Sequence, residues 1–236
     1  MSQDPKVFWR RNEIPIADYL MSHQTALRDE FMHGFDTLEA AAKSQTDPVL
    51  DRRAWGTPLE VTEKFIITDG KPNVHSWRHK SFRYENHNGV DVSFTAPEWF
   101  KEKYPTAYKL IVEYGDDCPI ANYSCLAPNS VIQRHTGPEN RTGEFIRIHI
   151  PLIIPEGDVF FEANSEEIDW SDIWAFHNQI AHSAHNYSNE WRLCFLIDLR
   201  RTAIGLGPGM PYDPKYDAMN LAPFVRKKKQ LNNLPG

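Results

Sequence analysis

Three side chains in the second half of this 236-residue chain are of types that do chemistry, and each sits beside or within a strand-forming run. His135 precedes a Gly-Pro turn in RHTGPEN, and His182 follows 47 positions later in AFHNQIAHSAHN. Arg192 begins the apolar run RLCFLIDL ten positions after that. Imidazole is the commonest side-chain metal ligand, and two histidines on neighbouring strands of a rolled sheet can share one ion. Spacing alone is weak evidence for such a pair; Arg192 strengthens it. A guanidinium turned into a strand of Leu193, Phe195 and Ile197 requires an anion, because an uncompensated buried charge is costly.

A second strand repeats the pattern. In FIRIHIPLI, Ile146, Ile148 and Ile150 alternate with Arg147 and His149. Successive strand residues point to opposite faces, so one face is apolar and the other is read as cationic. Ser124, on a preceding strand, adds a hydroxyl. The set describes a cavity lined with donors for an acidic ligand.

The elements that must position these groups are legible from periodicity. Candidate strands cover residues 120–126, 145–154, 159–163, 173–176, 182–187 and 192–199, separated by turn residues. Such spacing predicts a sandwich or barrel rather than alternating strand–helix units. Ahead of them, Pro15 starts a helix with Ile16, Leu20, Leu27 and Phe31 on one face, and 38–43 extends it or adds a turn. Residues 98–114 predict a second helix, interrupted near Pro105 and stopped at Gly115. Residues 44–58 read as loop, 59–67 as a strand and 86–89 as a turn. The expected organisation is one structural domain: a helical and strand support region at 1–118, a β core carrying the site at 119–201, and a loop-rich tail at 202–236.

Composition narrows the function. A formal net charge of −6 leaves no basic excess to neutralise phosphates, which argues against nucleic-acid partners. No apolar run approaches the roughly 18 residues that span a bilayer, and the first residues lack the apolar core of a signal peptide. Cys118, Cys125 and Cys194 match no paired metal spacing and read as reduced thiols. A cytoplasmic protein without a membrane partner is therefore expected.

Taken in order, HTGPEN, IRIHIPLIIP, AFHNQIAH and RLCFLIDL resemble the aspartyl/asparaginyl β-hydroxylase family of Fe(II)/2-oxoglutarate dioxygenases. The resemblance is clear over residues 124–201 and fainter back to Trp77. It implies a mainly β (α+β) fold, a double-stranded β-helix of the jelly-roll, cupin-like kind with N-terminal helical support. It also implies that His135 and His182 bind iron. Arg192, with Ser124 beside it, would pair with the distal carboxylate of 2-oxoglutarate, and Arg147 and His149 would face the other end of that co-substrate. With O2, the implied reaction hydroxylates an unactivated C–H bond and releases succinate and carbon dioxide. A small molecule or peptide would be the substrate: a free amino acid, an Asp- or Asn-bearing peptide, or an amino-acid-derived product.

Departures from the wider dioxygenase pattern bear on the chemistry. Two residues after His135 stands Gly137, where a carboxylate ligand is common. Water would fill that position, or halide, so a halogenase of the same cofactor class is an alternative. Glu139 and Asn140 are near enough to support the ligands, and the segment RTGE lengthens the following turn. Asn178 stands where the family more often has an acid four residues before the second ligand, and an amide there can orient an imidazole. Two further readings are a non-redox, metal-binding cupin-like protein and an inactive relative that only binds. The stretches WRHKSFRY and GLGPGMPYDP are candidates to roof the pocket.

Overall fold

The computed structural model describes residues 6–44, 66–68, 71–72, 77–84, 98–135 and 143–209. Within these, the strands are β1 (Phe8–Arg10), β2 (Ile66–Thr68), β3 (Lys71–Pro72), β4 (Trp77–Tyr84), β5 (Ile120–Leu126), β6 (Ser130–His135), β7 (Phe145–Ile153), β8 (Val159–Ala163), β9 (Glu166–Asp169), β10 (Trp174–Phe176), β11 (His182–Asn186) and β12 (Arg192–Arg200). The helices are α1 (Ala17–Ser22), α2 (Gln24–Met32), α3 (Leu38–Lys43), α4 (Glu98–Lys103) and α5 (Pro105–Tyr114).

Two six-stranded antiparallel sheets result, ordered β1-β10-β7-β12-β5-β4 and β3-β2-β6-β11-β8-β9. From β5 to β8 each strand lies in the opposite sheet from the one before it. The tight β8–β9 hairpin is followed by the same alternation through β12. This winding of one chain between two facing sheets is the double-stranded β-helix expected from the sequence. Asn164 and Ser165 turn that hairpin with φ values of 49° and 67°, the left-handed conformations of a two-residue hairpin turn.

The alternation read in β7 is realised in space. Ile146, Ile148, Ile150 and Leu152 join Leu193, Phe195, Ile197 and Leu199 of β12 in a core that includes Leu20, Leu27, Phe31, Ala107 and Leu110 of the helices. Each such fully buried aliphatic side chain contributes about 1.5–3 kcal/mol. A second core, drawn from both sheets, holds Leu126, Ile132, Phe161, Trp170, Trp174, Phe176, Ala184, Cys194 and Leu196. The helices thus cover the outer face of the first sheet, and the space between the sheets belongs to the other set of alternating residues. Tyr123 reaches from β5 to donate its hydroxyl to the Leu27 carbonyl at 2.8 Å, tying α2 to that outer face.

Several boundaries differ from the sequence reading. The helix expected from Pro15 breaks at His23 into α1 and α2, although Leu20, Leu27 and Phe31 are all buried as the periodicity predicts. Residues 98–114, by contrast, are interrupted at Pro105 as expected, forming α4 and α5 with Pro105 in the first turn of the second. Strands β1, β3, β4, β6 and β9 were not among the candidate strands. β1 pairs with β10 and β4 with β5, so two strands from the first 118 residues complete the first sheet. Residues 45–65, the 86–89 turn and the tail from 210 onward lie outside the described residues.

One buried amide fixes the end of the barrel where β5 and β12 meet. Asn186 Nδ2 lies 3.1, 2.9 and 2.8 Å from the carbonyls of Leu126, Ala127 and Glu190, and its Oδ1 accepts from the Ser188 hydroxyl at 2.7 Å. The side chain is fully buried, so no water replaces it. Asn186→Ala is expected to lower the unfolding free energy by about 3 kcal/mol, since several buried carbonyls lose their donor together. Urea denaturation of the purified variant measures this directly.

Candidate active site

β6 and β11 lie side by side, and their register makes His135 and His182 direct cross-strand partners. Two residues 47 positions apart are thereby neighbours, as the two-histidine reading requires. The pairing then slips: Ala184 faces Ile132, so β6 carries one more residue than β11 between these points. A bulge of this kind bends a strand and re-aims its side chains, and bulges are concentrated beside active sites.

His182 is buried, and its Nδ1 lies 2.7 Å from the Ile180 carbonyl oxygen. A carbonyl only accepts, so the proton of that contact is on Nδ1 and the lone pair of the neutral ring is on Nε2. The ring is flanked by Phe161 at 5.4 Å and Phe176 at 4.8 Å between centroids. A hydrogen bond that fixes the proton on one nitrogen and so orients the ring is the arrangement of a metal-ligating histidine. Asn178, expected to orient this ring, is fully buried, and the orienting contact seen for Nδ1 is to the backbone of Ile180.

His185, three residues on, is directed to the opposite face of β11. Its Nε2 lies 2.8 Å from the Ser183 hydroxyl, and its ring stacks on Phe160 at 4.3 Å. The Ser183 hydroxyl also donates to Glu162, which accepts from Arg134 at 3.1 Å. That network belongs to the outer side of the second sheet.

Arg192 starts β12, just before a second bulge in which Leu193 faces Ile153 and Cys194 faces Pro151. Proline is tolerated there because it has no N–H to give to the ladder. The guanidinium is 1 % exposed. Its Nη1 lies 3.3 Å from Cys194 Sγ, its Cζ lies 4.3 Å from the Trp170 ring centroid, and its Nε is buried with no acceptor. No carboxylate among the described residues pairs with it. Burial holds the Cys194 thiol above its usual range, against the pull of Arg192 and of its own hydrogen bond to Ser124, so the sulfur supplies no countercharge. Ser124 is buried opposite Cys194 in the register of β5 and β12, two residues along from the Leu126–Arg192 pair.

Arg147 and His149 depart from the cationic face expected of β7. Arg147 makes a two-pronged pair with Asp198 of β12, Nε to Oδ1 at 2.7 Å and Nη2 to Oδ2 at 2.9 Å. Its anion is thus a carboxylate of the chain itself. His149 is fully enclosed, and burial, reinforced by Arg147, Arg192 and His182, holds its pKa well below the usual histidine range. It is a neutral imidazole, which corrects its count among the cations. Trp170 stacks on it at 5.1 Å and 8°, Trp174 lies 3.9 Å away, and both ring nitrogens lack a hydrogen-bond partner.

The sequence reading missed Trp170, Trp174, Phe161, Phe176 and Asp198. Asp198 was detectable, since it shares the alternation of Arg192 in RLCFLIDL. The tryptophans were signalled only by their spacing in WSDIW. Among the described residues no group of three or more His, Cys, Asp and Glu side chains is placed to hold a metal. A two-histidine centre does not require one. Gly137, Glu139 and Asn140 lie outside the described residues, as does 210–214 of the roof candidate; Trp77–Tyr84 is strand β4, at the edge of the first sheet. All three cysteines are free and buried. No helix among the described residues is long and apolar enough to cross a membrane.

The family model for aspartyl/asparaginyl β-hydroxylases matches residues 21–202. No curated protein matches the chain. Similar solved structures include a predicted oxalate decarboxylase from Thermotoga maritima, at 16% identity over 38% of this chain and 73% of that one, with a TM-score of 0.30. The DMSP lyase DddQ from Ruegeria pomeroyi is 9% identical over 53% of this chain and 47% of its own, with a TM-score of 0.32. The polyketide cyclase RemF from Streptomyces resistomycificus is 13% identical over 37% and 58%, with a TM-score of 0.27.

The Arg147–Asp198 pair gives a test of the site's internal charge balance. Asp198→Ala removes the carboxylate that takes the largely buried Arg147 guanidinium with two hydrogen bonds and is expected to cost about 3 kcal/mol of stability. An Arg147→Leu, Asp198→Leu double variant is expected to recover most of that loss, measured by chemical denaturation of all three proteins.

Proposed function

Because the chain belongs to the aspartyl/asparaginyl β-hydroxylase family, we propose that it is an Fe(II)/2-oxoglutarate-dependent dioxygenase acting on an amino acid or a related small molecule. The observation that carries this reading is Arg192, a fully buried guanidinium with no carboxylate among the described residues to balance it and an Nε without an acceptor. A site built this way needs an acid from outside, and a planar guanidinium takes a carboxylate with two parallel hydrogen bonds.

The donor set suits the cofactor pair. His135 and His182 would hold the iron, His182 through Nε2, and Arg192 with Ser124 would take the distal carboxylate of 2-oxoglutarate. Arg147 and His149 would face the other end of the co-substrate. Asp198 already balances Arg147, so little net charge is added there, and His149 enters as a neutral ring whose nitrogens can donate or accept. When bound, the iron would supply oxidation of a C–H bond coupled to decarboxylation of 2-oxoglutarate. The protein's own part is positional. Phe161, Phe176, Trp170 and Trp174 enclose His149, and the first two also flank His182, in an apolar wall that excludes water and strengthens each polar contact inside. A free amino acid is the favoured substrate, since the chain shows no repeat array for gripping a protein.

Anaerobic addition of Fe(II) and 2-oxoglutarate to the purified protein should produce a weak visible charge-transfer band. His182→Ala should abolish it, and Arg192→Leu should raise the 2-oxoglutarate concentration needed for it at least 100-fold. Succinate release should then be screened over amino acids and short Asp- or Asn-bearing peptides, with product mass recorded. Absence of the band and of succinate, with Arg192→Leu behaving as the parent, would favour a non-redox metal protein.

A further inference from the structure

Trp170 and Trp174 have so far served only as walls, yet each hides a polar group. They are 2 % and 1 % exposed, and the indole Nε1 of each is enclosed with no acceptor. An indole N–H can only donate, and folded proteins leave few buried donors unpaired. Here three lie in one contiguous set, the third being Arg192 Nε. The Trp170 ring stacks on the Arg192 guanidinium at 4.3 Å and on His149 at 5.1 Å. Trp174 lies 5.0 Å from Trp170 and 3.9 Å from His149. Their other ring neighbours are Phe8, Phe161 and Phe176, which offer no lone pair.

The neutral ring of His149 adds one N–H and one lone pair to this set, so the donors still outnumber the acceptors beside them, and such a surplus is matched by a ligand that only accepts. A carboxylate has two oxygens and about four lone-pair directions, more than one guanidinium edge uses. We propose that Trp170 and Trp174 donate their indole N–H groups to the carboxylate-bearing ligand held by Arg192, and that Trp170 also keeps the guanidinium plane in position by stacking. Neutral donors add directional hydrogen bonds without a second buried cation, whose desolvation would be costly. The assignment rests on the 2-oxoglutarate reading of the site and extends it to two residues outside the histidine and arginine set.

The test uses full-length protein loaded with Zn(II) and labelled with 15N at its seven tryptophan indoles. Titration with 2-oxoglutarate should move two indole N–H signals downfield, and those two should be the signals missing from Trp170→Phe and Trp174→Phe. By calorimetry each Phe variant should bind 2-oxoglutarate about tenfold more weakly. Trp170→Leu, which also removes the stacking, should bind more weakly than Trp170→Phe. Should a variant fail to fold, the shifts in the parent protein decide alone. Saturation by 2-oxoglutarate with no indole signal displaced, or Phe variants binding as the parent does, overturns the indole assignment and leaves Arg192 as the anion site. No binding of 2-oxoglutarate by the Zn(II)-loaded parent overturns the co-substrate reading along with it.

Discussion

β12 is paired on both sides, with β5 along one edge and β7 along the other, so the facing of every second residue is fixed twice over. A slip of one residue in either register would turn Leu193, Phe195, Ile197 and Leu199 away from the helices and bring Arg192 and Asp198 under them. The apolar core on the helix side therefore enforces the polar arrangement on the other side. The site is held in place by hydrophobic packing to which it does not itself contribute.

That one strand carries two solutions to the problem of a buried charge. Near its end, Asp198 takes the guanidinium of Arg147 with two hydrogen bonds, and the charge is settled within the chain. At its start, Arg192 has a thiol and an indole face, neither of which is an anion. Weak partners of this kind lower the cost of burying the cation without cancelling it. The first arrangement balances its charge within the folded chain, whereas the second leaves the charge without a carboxylate among the described residues.

Much of this was legible in the sequence. Strands β5, β7, β8, β10, β11 and β12 are strongly patterned, and the structure places them within about two residues of the expected bounds. β6 escaped notice because SVIQRH has no clean alternation, and its bulge interrupts whatever period it has. β1 is only three residues long and becomes a strand by pairing with β10, a contact that local sequence does not signal. The state of His149 was misread for a related reason. Its type suggests a cation, but its charge depends on burial among Trp170, Trp174, Phe161 and Phe176, which come from three separate segments. Alternation reveals which face a residue takes. It does not reveal what waits on that face.

The same surroundings explain why a neutral histidine belongs there. With Arg192 already unbalanced nearby, protonating His149 would add a second buried cation within the same ring of aromatics, and desolvation and repulsion act together against it. His182 also lies beside Phe161 and Phe176, with its Nδ1 proton committed to the Ile180 carbonyl. The site thus combines one guanidinium with the neutral ring of His149. Neutral imidazole is the form that binds a metal ion, whereas a permanent cation is the form that holds a carboxylate at any physiological pH. The aromatic enclosure therefore keeps His149 neutral and, by excluding water, makes the charge of Arg192 felt more strongly within the site.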